Sequence, residues 1–260
     1  MIKKVLLLAS IFSILFCACG KKELPPPDDF SVIKERDKII VGVREDTAPF
    51  GYRDKEGNLA GFDIELSQLI AQHLLGDSSK VEFVIVNAGN RIGKLNSKEV
   101  DILVATMTRT EARAKVVDFS TSYFVAGTAA MVKAKSPYSS LNEFSDKPLA
   151  VVFGTTGETA LRDLFPFAKI TTYRTYEEAV REVKSGNVEA LIADDSVLVG
   201  YAKRDNSLRL LSHRYSREPY AVAVRQGEQS TYLLQEINEF INYLQSTGKL
   251  SKLAEKYSLL

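Results

Sequence analysis

Short apolar stretches alternate with stretches of helical period, and this alternation runs through the chain twice. Lys38 to Arg44, KIIVGVR, reads as a strand, and EDTAPFGYRDKEGNLAG after it is rich in turn residues. From Gly61 to Leu75 the apolar residues Phe62, Leu66, Leu69, Ile70 and Leu74 recur at helical spacing, and Gly76 stands where a helix would end. Lys80 to Val86 is a second strand, Asn87 to Ser97 a polar loop leading into a short helix, and Val100 to Thr106, VDILVAT, a third strand as continuously apolar as a buried one. Strand and helix in turn predict an α/β chain with a mainly parallel sheet.

The pattern breaks at Thr121 to Lys135, TSYFVAGTAAMVKAK, which is extended and lacks helical period. It resumes with strands at Pro148 to Phe153, Lys169 to Tyr173 and Val188 to Ala193, and helices at Gly154 to Phe165, Tyr176 to Lys184 and Ser196 to Ala202. Pro219 to Val224, PYAVAV, is a strand that could return to the first set, and apolar positions from Leu233 to Tyr257 form two closing helices. The expectation is two lobes crossed twice by the chain, with a hinge between them. Lobe 1 takes residues 36–124 plus 222–260, and lobe 2 with its hinge strands takes 125–221. A length of 260 residues that is 45% hydrophobic can bury two such cores.

The first residues give an address. Lys3 and Lys4 precede an apolar run, Val5 to Phe16, too short for an ordinary membrane span, so residues 1–18 read as a signal peptide. The run ends LFCACG, which resembles the lipobox of bacterial lipoproteins and would make Cys19 the lipidated terminus. Residues 19–35 then form a lipidated end and a linker, with KKELPPPDDF as a charged, proline-rich tether holding the fold off a membrane. Cys17 and Cys19 are the only cysteines, so the mature fold has no disulfide. Two histidines, His73 and His213, give a transition metal no ligand cluster. Lys plus Arg is 34 against Asp plus Glu 33, so bulk charge draws neither nucleic acid nor an anionic membrane surface, and selectivity for anions must come from placed arginines.

One such placement follows the strand VDILVAT. In TMTRTEARAKVVDFS, Thr106 to Ser120, backbone N–H groups at a strand end, threonine hydroxyls and the Arg113 guanidinium together make a receptor for a carboxylate. GTTGETALRDLF, from Gly154, is a second anion-friendly helix start. At the end of VEALIAD the acids Asp194 and Asp195 either hold a cation or, as is commoner for Asp195, cap the next helix.

These segments, in their order and spacing from KIIVGVREDTAPFGYRDKEGNLAGFDIEL through TMTRTEARAKVVDFSTSY to ALIADDSVLVGY, resemble bacterial extracellular solute-binding proteins of family 3, the polar-amino-acid binders of ABC transporters. The resemblance implies a type II periplasmic-binding-protein fold, two mainly parallel sheets joined by a two-strand hinge. It implies that Arg113, Thr108, Thr155 and Thr156 meet the α-carboxylate of a free amino acid, and that the Thr106 carbonyl and Asp194 take its ammonium. Arg44 and Arg91 look like the basic positions of aspartate- and glutamate-binding members, with Tyr176 as a polar partner. Two guanidiniums without a counter-ion would favour an acidic side chain. The implied partners are an ABC permease with its ATPase and, through the lipid anchor, a membrane. A monomer is expected, extracytoplasmic and without cofactor or catalytic residues.

Other readings stand beside these. Arg44 could pair with Glu45, Asp46 or Asp63, Tyr176 and Phe50 could be core residues, and Arg109 is expected to face solvent. The guest could be another amino acid such as cysteine. A cyclohexadienyl or arogenate dehydratase on the same fold would need a general acid, for which Asp194, Asp195 and Glu158 are the candidates.

Overall fold

The computed structural model describes residues 27–144 and 146–259, so the signal peptide, Cys19 and most of the proline-rich tether lie outside the described residues. The first part of the chain lays down α1 (Asp29–Arg36), β1 (Ile39–Val43), the short strands β2 (Asp46–Thr47), β3 (Gly51–Arg53) and β4 (Leu59–Ala60), α2 (Phe62–Leu75), β5 (Val81–Ile85), α3 (Arg91–Asn96), β6 (Ile102–Leu103) and β7 (Val117–Ala126). The second comprises β8 (Thr128–Lys133), β9 (Pro148–Val152), α4 (Thr156–Leu164), β10 (Lys169–Tyr173), α5 (Tyr176–Ser185), β11 (Ala190–Asp194), α6 (Asp195–Arg204) and β12 (Leu208–Leu210). β13 (Glu218–Arg225) then leads to α7 (Thr231–Ser246) and α8 (Lys249–Lys256).

Two five-stranded sheets result, ordered β5-β1-β6-β13-β7 and β10-β9-β11-β8-β12. The segments with strong alternation form the parallel halves, β5-β1-β6 and β10-β9-β11. The other halves are antiparallel, which corrects the expectation of mainly parallel sheets. The cause is connectivity. β7 runs straight into β8 of the other sheet after Gly127 alone, and β13 brings the chain back beside β7, so neither pairing is made by a strand-helix-strand crossover. The proposed lobe boundaries at 124 and 221 fall inside these two long strands.

A second correction concerns the tether. Asp28 accepts the Ser31 N–H at 3.0 Å and starts α1, whose Phe30 and Ile33 are buried in the core beneath the first sheet. Asp29 accepts the Ser230 hydroxyl and pairs with Arg225 at 2.8 Å. The fold therefore begins inside the stretch read as linker. Periodicity hid it, because eight residues with two inward apolar positions give a weak signal.

Elsewhere the local chemistry follows the sequence. α2 ends at Gly76, whose φ of +76° suits a residue without a β-carbon. Thr175 and Glu178 close a capping box at the start of α5, fixing Tyr176 as its first residue. Phe50 is fully buried in edge-on contact with Phe62, Phe124 and Tyr220, a packing role that contributes about 1.5–3 kcal/mol through burial.

Candidate functional site

The loops at the carboxyl ends of β6, β9, β11 and β1 converge on the seam between the sheets. There Arg44, Arg91, Thr106, Thr108, Thr155, Thr156, Tyr176 and Asp194 line one cavity. These are all the ligand-binding candidates of the sequence except Arg113, whose guanidinium lies beside the same group. The cavity measures about 10 Å³, roughly the room of one water, so a larger guest requires the halves to part. A wider depression of about 580 Å³, lined among others by Asp46, Asn90 and Glu177, opens beside it along the same seam.

Arg113 opens a single 3-10 turn and donates to the Thr108 carbonyl at 2.9 Å and to the Gly154 carbonyl of the second half at 3.0 Å. Burial lowers its pKa from the ordinary arginine value, with Asp194 opposing, and a guanidinium stays charged regardless. Facing it, Thr155 caps α4: its hydroxyl accepts the Glu158 N–H at 3.4 Å and donates to the Val152 carbonyl at 2.7 Å. The N-terminal end of α4 and Arg113 thus approach the cavity from opposite halves, and both favour negative charge.

Asp194 supplies the opposite sign. It is buried, its Oδ2 accepts the Tyr220 hydroxyl at 2.6 Å, and burial pushes its pKa up to about 6 against the pull of that bond. The single phenol proton goes to Asp194, so the Ser196 hydroxyl at 3.1 Å donates to Tyr220. Asp195 does not cap α6. It accepts the Gly127 N–H at 3.0 Å and pairs with Arg214, tying α6 to the strand crossing.

The basic pair differs from expectation. Arg44 is 1% exposed and grips Asp46 with two bonds, Nε to Oδ1 at 2.8 Å and Nη2 to Oδ2 at 2.7 Å, while lying 5.1 Å from the Tyr176 ring centre. It is therefore not an unpaired cation, and the argument from two uncompensated guanidiniums fails for it. Burial lowers the Arg44 pKa, but the charge and hydrogen bonds of Asp46, together with Tyr176 and Tyr201, hold it above its ordinary value. Arg91, 2% exposed, donates through Nη1 to the Ala105 carbonyl at 2.6 Å, and its Nε has no partner among the described residues. Burial, with repulsion from Arg113 and Arg44, drives its pKa well down. Tyr176 is buried as a core residue and lines the cavity as well. Arg109 is exposed.

Three participants escaped the sequence reading. Asp63 is fully buried and its Oδ2 accepts the Thr106 N–H at 2.8 Å. Tyr220 orients Asp194. Tyr201 of α6 reaches across the seam to the Asp46 carbonyl at 2.9 Å. Only Asp63 carried a signal: an acid inside the apolar stripe FDIEL has to find a partner there.

Two lobes, each built on a five-stranded sheet and closing on a small cleft, with an anion receptor drawn from both and one buried acid opposite, define a clamshell receptor for a small solute. Residues 39–259 match the family model of bacterial extracellular solute-binding proteins, family 3, and the chain belongs to that family. The ABC transporter glutamine-binding protein GlnH of Bacillus subtilis is 36% identical over 98% of this chain and 97% of its own length. A cysteine-binding protein from Campylobacter jejuni superposes with a TM-score of 0.84 at 30% identity, covering 88% of this chain and 92% of the other. An ancestral amino acid-binding protein, a precursor of cyclohexadienyl dehydratase, superposes with a TM-score of 0.80 at 34% identity, covering 88% and 99%.

Proposed function

We propose that this protein captures a free polar amino acid in the seam between its lobes and hands it to an inner-membrane ABC permease and its ATPase. The observation that carries the reading is the convergence of Arg113 and the α4 start from opposite halves, with Asp194 across the same cavity. A free α-amino acid presents a carboxylate and an ammonium a few ångströms apart, and a dry cleft stabilises both only if each meets its opposite. Arg113, Thr108, Thr155 and Thr156 would take the carboxylate, and Asp194 with the Thr106 carbonyl the ammonium. Because those groups come from both lobes, the ligand favours the closed form, and its charged hydrogen bonds at about 1.5–3 kcal/mol each set the closing force.

For the side chain, the Arg44–Asp46 pair favours an uncharged amide, L-glutamine above all. The guanidinium can donate to an amide oxygen and the carboxylate accept from an amide nitrogen, whereas the γ-carboxylate of glutamate would meet Asp46 as a like charge. The glutamine-binding relative agrees with this choice. L-aspartate or L-glutamate is the second reading, supported by Arg91, which has no acid paired to it among the described residues. Catalysis has less support: Asp194 is committed to Tyr220 and Glu158 to the α4 start, where it accepts the Gly154 N–H and pairs with Arg162. A lipid anchor at Cys19, holding a monomeric receptor to a membrane in the periplasm or at the cell surface, completes the proposal. Calorimetric titration with the twenty amino acids tests it. Glutamine binding tightest supports the amide reading, aspartate or glutamate supports the acidic one, and no heat with any of them refutes both.

A further inference from the structure

The peptide bond between Ala105 and Thr106 is held at its two ends by a guanidinium and a carboxyl group. Arg91 Nη1 donates to the Ala105 carbonyl at 2.6 Å, and Asp63 Oδ2 accepts the Thr106 N–H at 2.8 Å. Both groups belong to one planar peptide unit. Asp63 lies in the first turn of α2 and Arg91 begins α3, so two helices on different sides of β6 each contribute one side chain to this single peptide. Neither side chain is more than 2% exposed.

The clamp sits where the backbone most needs one. Thr106 has φ of +45°, a left-handed conformation that costs a β-branched residue about 1–2 kcal/mol and persists only when its surroundings impose it. That turn swings the chain from β6 so that Thr108 bridges to Tyr220 on β13 and the Met107 carbonyl accepts the Ala221 N–H at 3.0 Å. Thr106 and Thr108 then face the cavity.

We propose that Asp63 and Arg91 are positioning residues that together fix the Ala105–Thr106 peptide and so aim the Thr106–Thr108 turn into the cleft. Arg91 on this account serves the turn and does not read the ligand's side chain, which leaves discrimination to Arg44, Asp46 and Tyr176. The inference rests on the amino-acid reading for its effect on affinity, but the clamp itself is a property of the ligand-free protein. The charged and titratable groups facing Asp63 are Arg91 from α3, Arg44 beyond β1 and Tyr123 from β7. Burial pushes the Asp63 carboxyl up to about 7, and the Thr106 N–H and the two arginines pull it back, so it changes charge in an accessible range.

The test uses the full folded chain in two measurements. In amide NMR spectra of the ligand-free Asp194→Asn protein from pH 5.5 to 8.5, a background that removes the cavity carboxyl at about 6, the Thr106 resonance is expected to move with a midpoint near 7 and to stay fixed when Asp63→Asn is added. In calorimetry, Arg91→Met is expected to weaken glutamine and glutamate by the same factor, about 10- to 100-fold, and Arg91→Lys, which can still donate to Ala105, to restore most of it. A Thr106 amide with the same pH response in both proteins would overturn the Asp63 half of the clamp. Losses in Arg91→Met differing more than about fivefold between the two ligands would assign Arg91 to the side-chain pocket instead. If the wild-type protein bound no amino acid, the functional reading would fail while the amide titration still decided the clamp.

Discussion

Replacing Asp46 with Asn should convert a receptor for an uncharged side chain into one for an acid. The substitution keeps the shape and one acceptor oxygen but removes the counter-charge of Arg44, whose side chain is 1% exposed against 15% for Asp46. Removing one partner of a buried ion pair costs about 3–5 kcal/mol. Here the partial exposure of Asp46 and the remaining asparagine carbonyl reduce that to about 1–2 kcal/mol, a fall in Tm of about 2–8 °C for a chain of this size. The larger effect is on selectivity. A ligand carboxylate that met attraction from Arg44 and repulsion from Asp46 would meet the attraction alone. Unit charges about 4 Å apart interact by about 4 kcal/mol at an effective dielectric of 20, and stripping water from the carboxylate offsets part of this. A net shift of about 1.5–3 kcal/mol remains, which moves the glutamate-to-glutamine affinity ratio about 10- to 150-fold toward glutamate. Calorimetric titration of both ligands into both proteins at pH 7.5 measures the ratio directly. An unchanged ratio in a folded Asp46→Asn protein would place the Arg44–Asp46 pair outside the specificity pocket.

Four further outcomes follow from the same geometry. Arg113→Ala should weaken every amino acid by at least about 100-fold, because the guanidinium serves the group all of them share, and a side-chain-dependent loss in calorimetry would contradict that role. Asp194 must be ionised to hold an ammonium. With its carboxyl at about 6 in the free protein and lower in the complex, binding takes a proton off below that pH, so affinity is full above 6 and falls about tenfold from pH 7 to 5. That fall should vanish in Asp194→Asn, read in an Asp63→Asn background to silence the Asp63 carboxyl, which burial pushes up to about 7. Gly200 on α6 approaches the other lobe so closely that an added β-carbon would lie 1.9 Å from the Ala48 carbonyl. Gly200→Ala should therefore leave the lobes unable to close, weakening all ligands alike and abolishing ligand-induced compaction in X-ray scattering. Cys19→Ala, or treatment with globomycin, should release the protein from membranes in fractionation, and unchanged association would refute the lipid anchor.

Much of the architecture was legible because its signals are local. The stripe from Phe62 to Leu74, the stop at Gly76 and the apolar run into Thr106 each depend on neighbours in sequence, and each element stands where its pattern put it. The antiparallel halves were not legible, since β7 and β13 pair across about a hundred residues and no spacing records that choice. In the site, the residues brought to the cavity follow from strand ends, but the direction each side chain takes does not. Arg44 had three acids within reach of its sequence position. The pairing of β2 with β3, which sets Asp46 opposite Tyr52, helps place one of them against the guanidinium. Arg91 lines the cavity as expected yet spends its strongest bond on a main-chain carbonyl, a partner any sequence can offer and none announces. Asp63 and Tyr220 act through groups that themselves face the cleft, and such indirect contacts leave no motif of their own.

The central claim is that both charged ends of one amino acid are gripped at once by groups from two lobes, and blocked ligands test it most directly. Calorimetry of the wild-type protein with L-glutamine, N-acetyl-L-glutamine and L-glutamine α-amide separates the two grips. The expected result is tight binding of the free amino acid and a loss of at least about 100-fold with either end masked. Comparable affinity for either masked compound would contradict the account, because one of the two charged ends would then contribute nothing to binding.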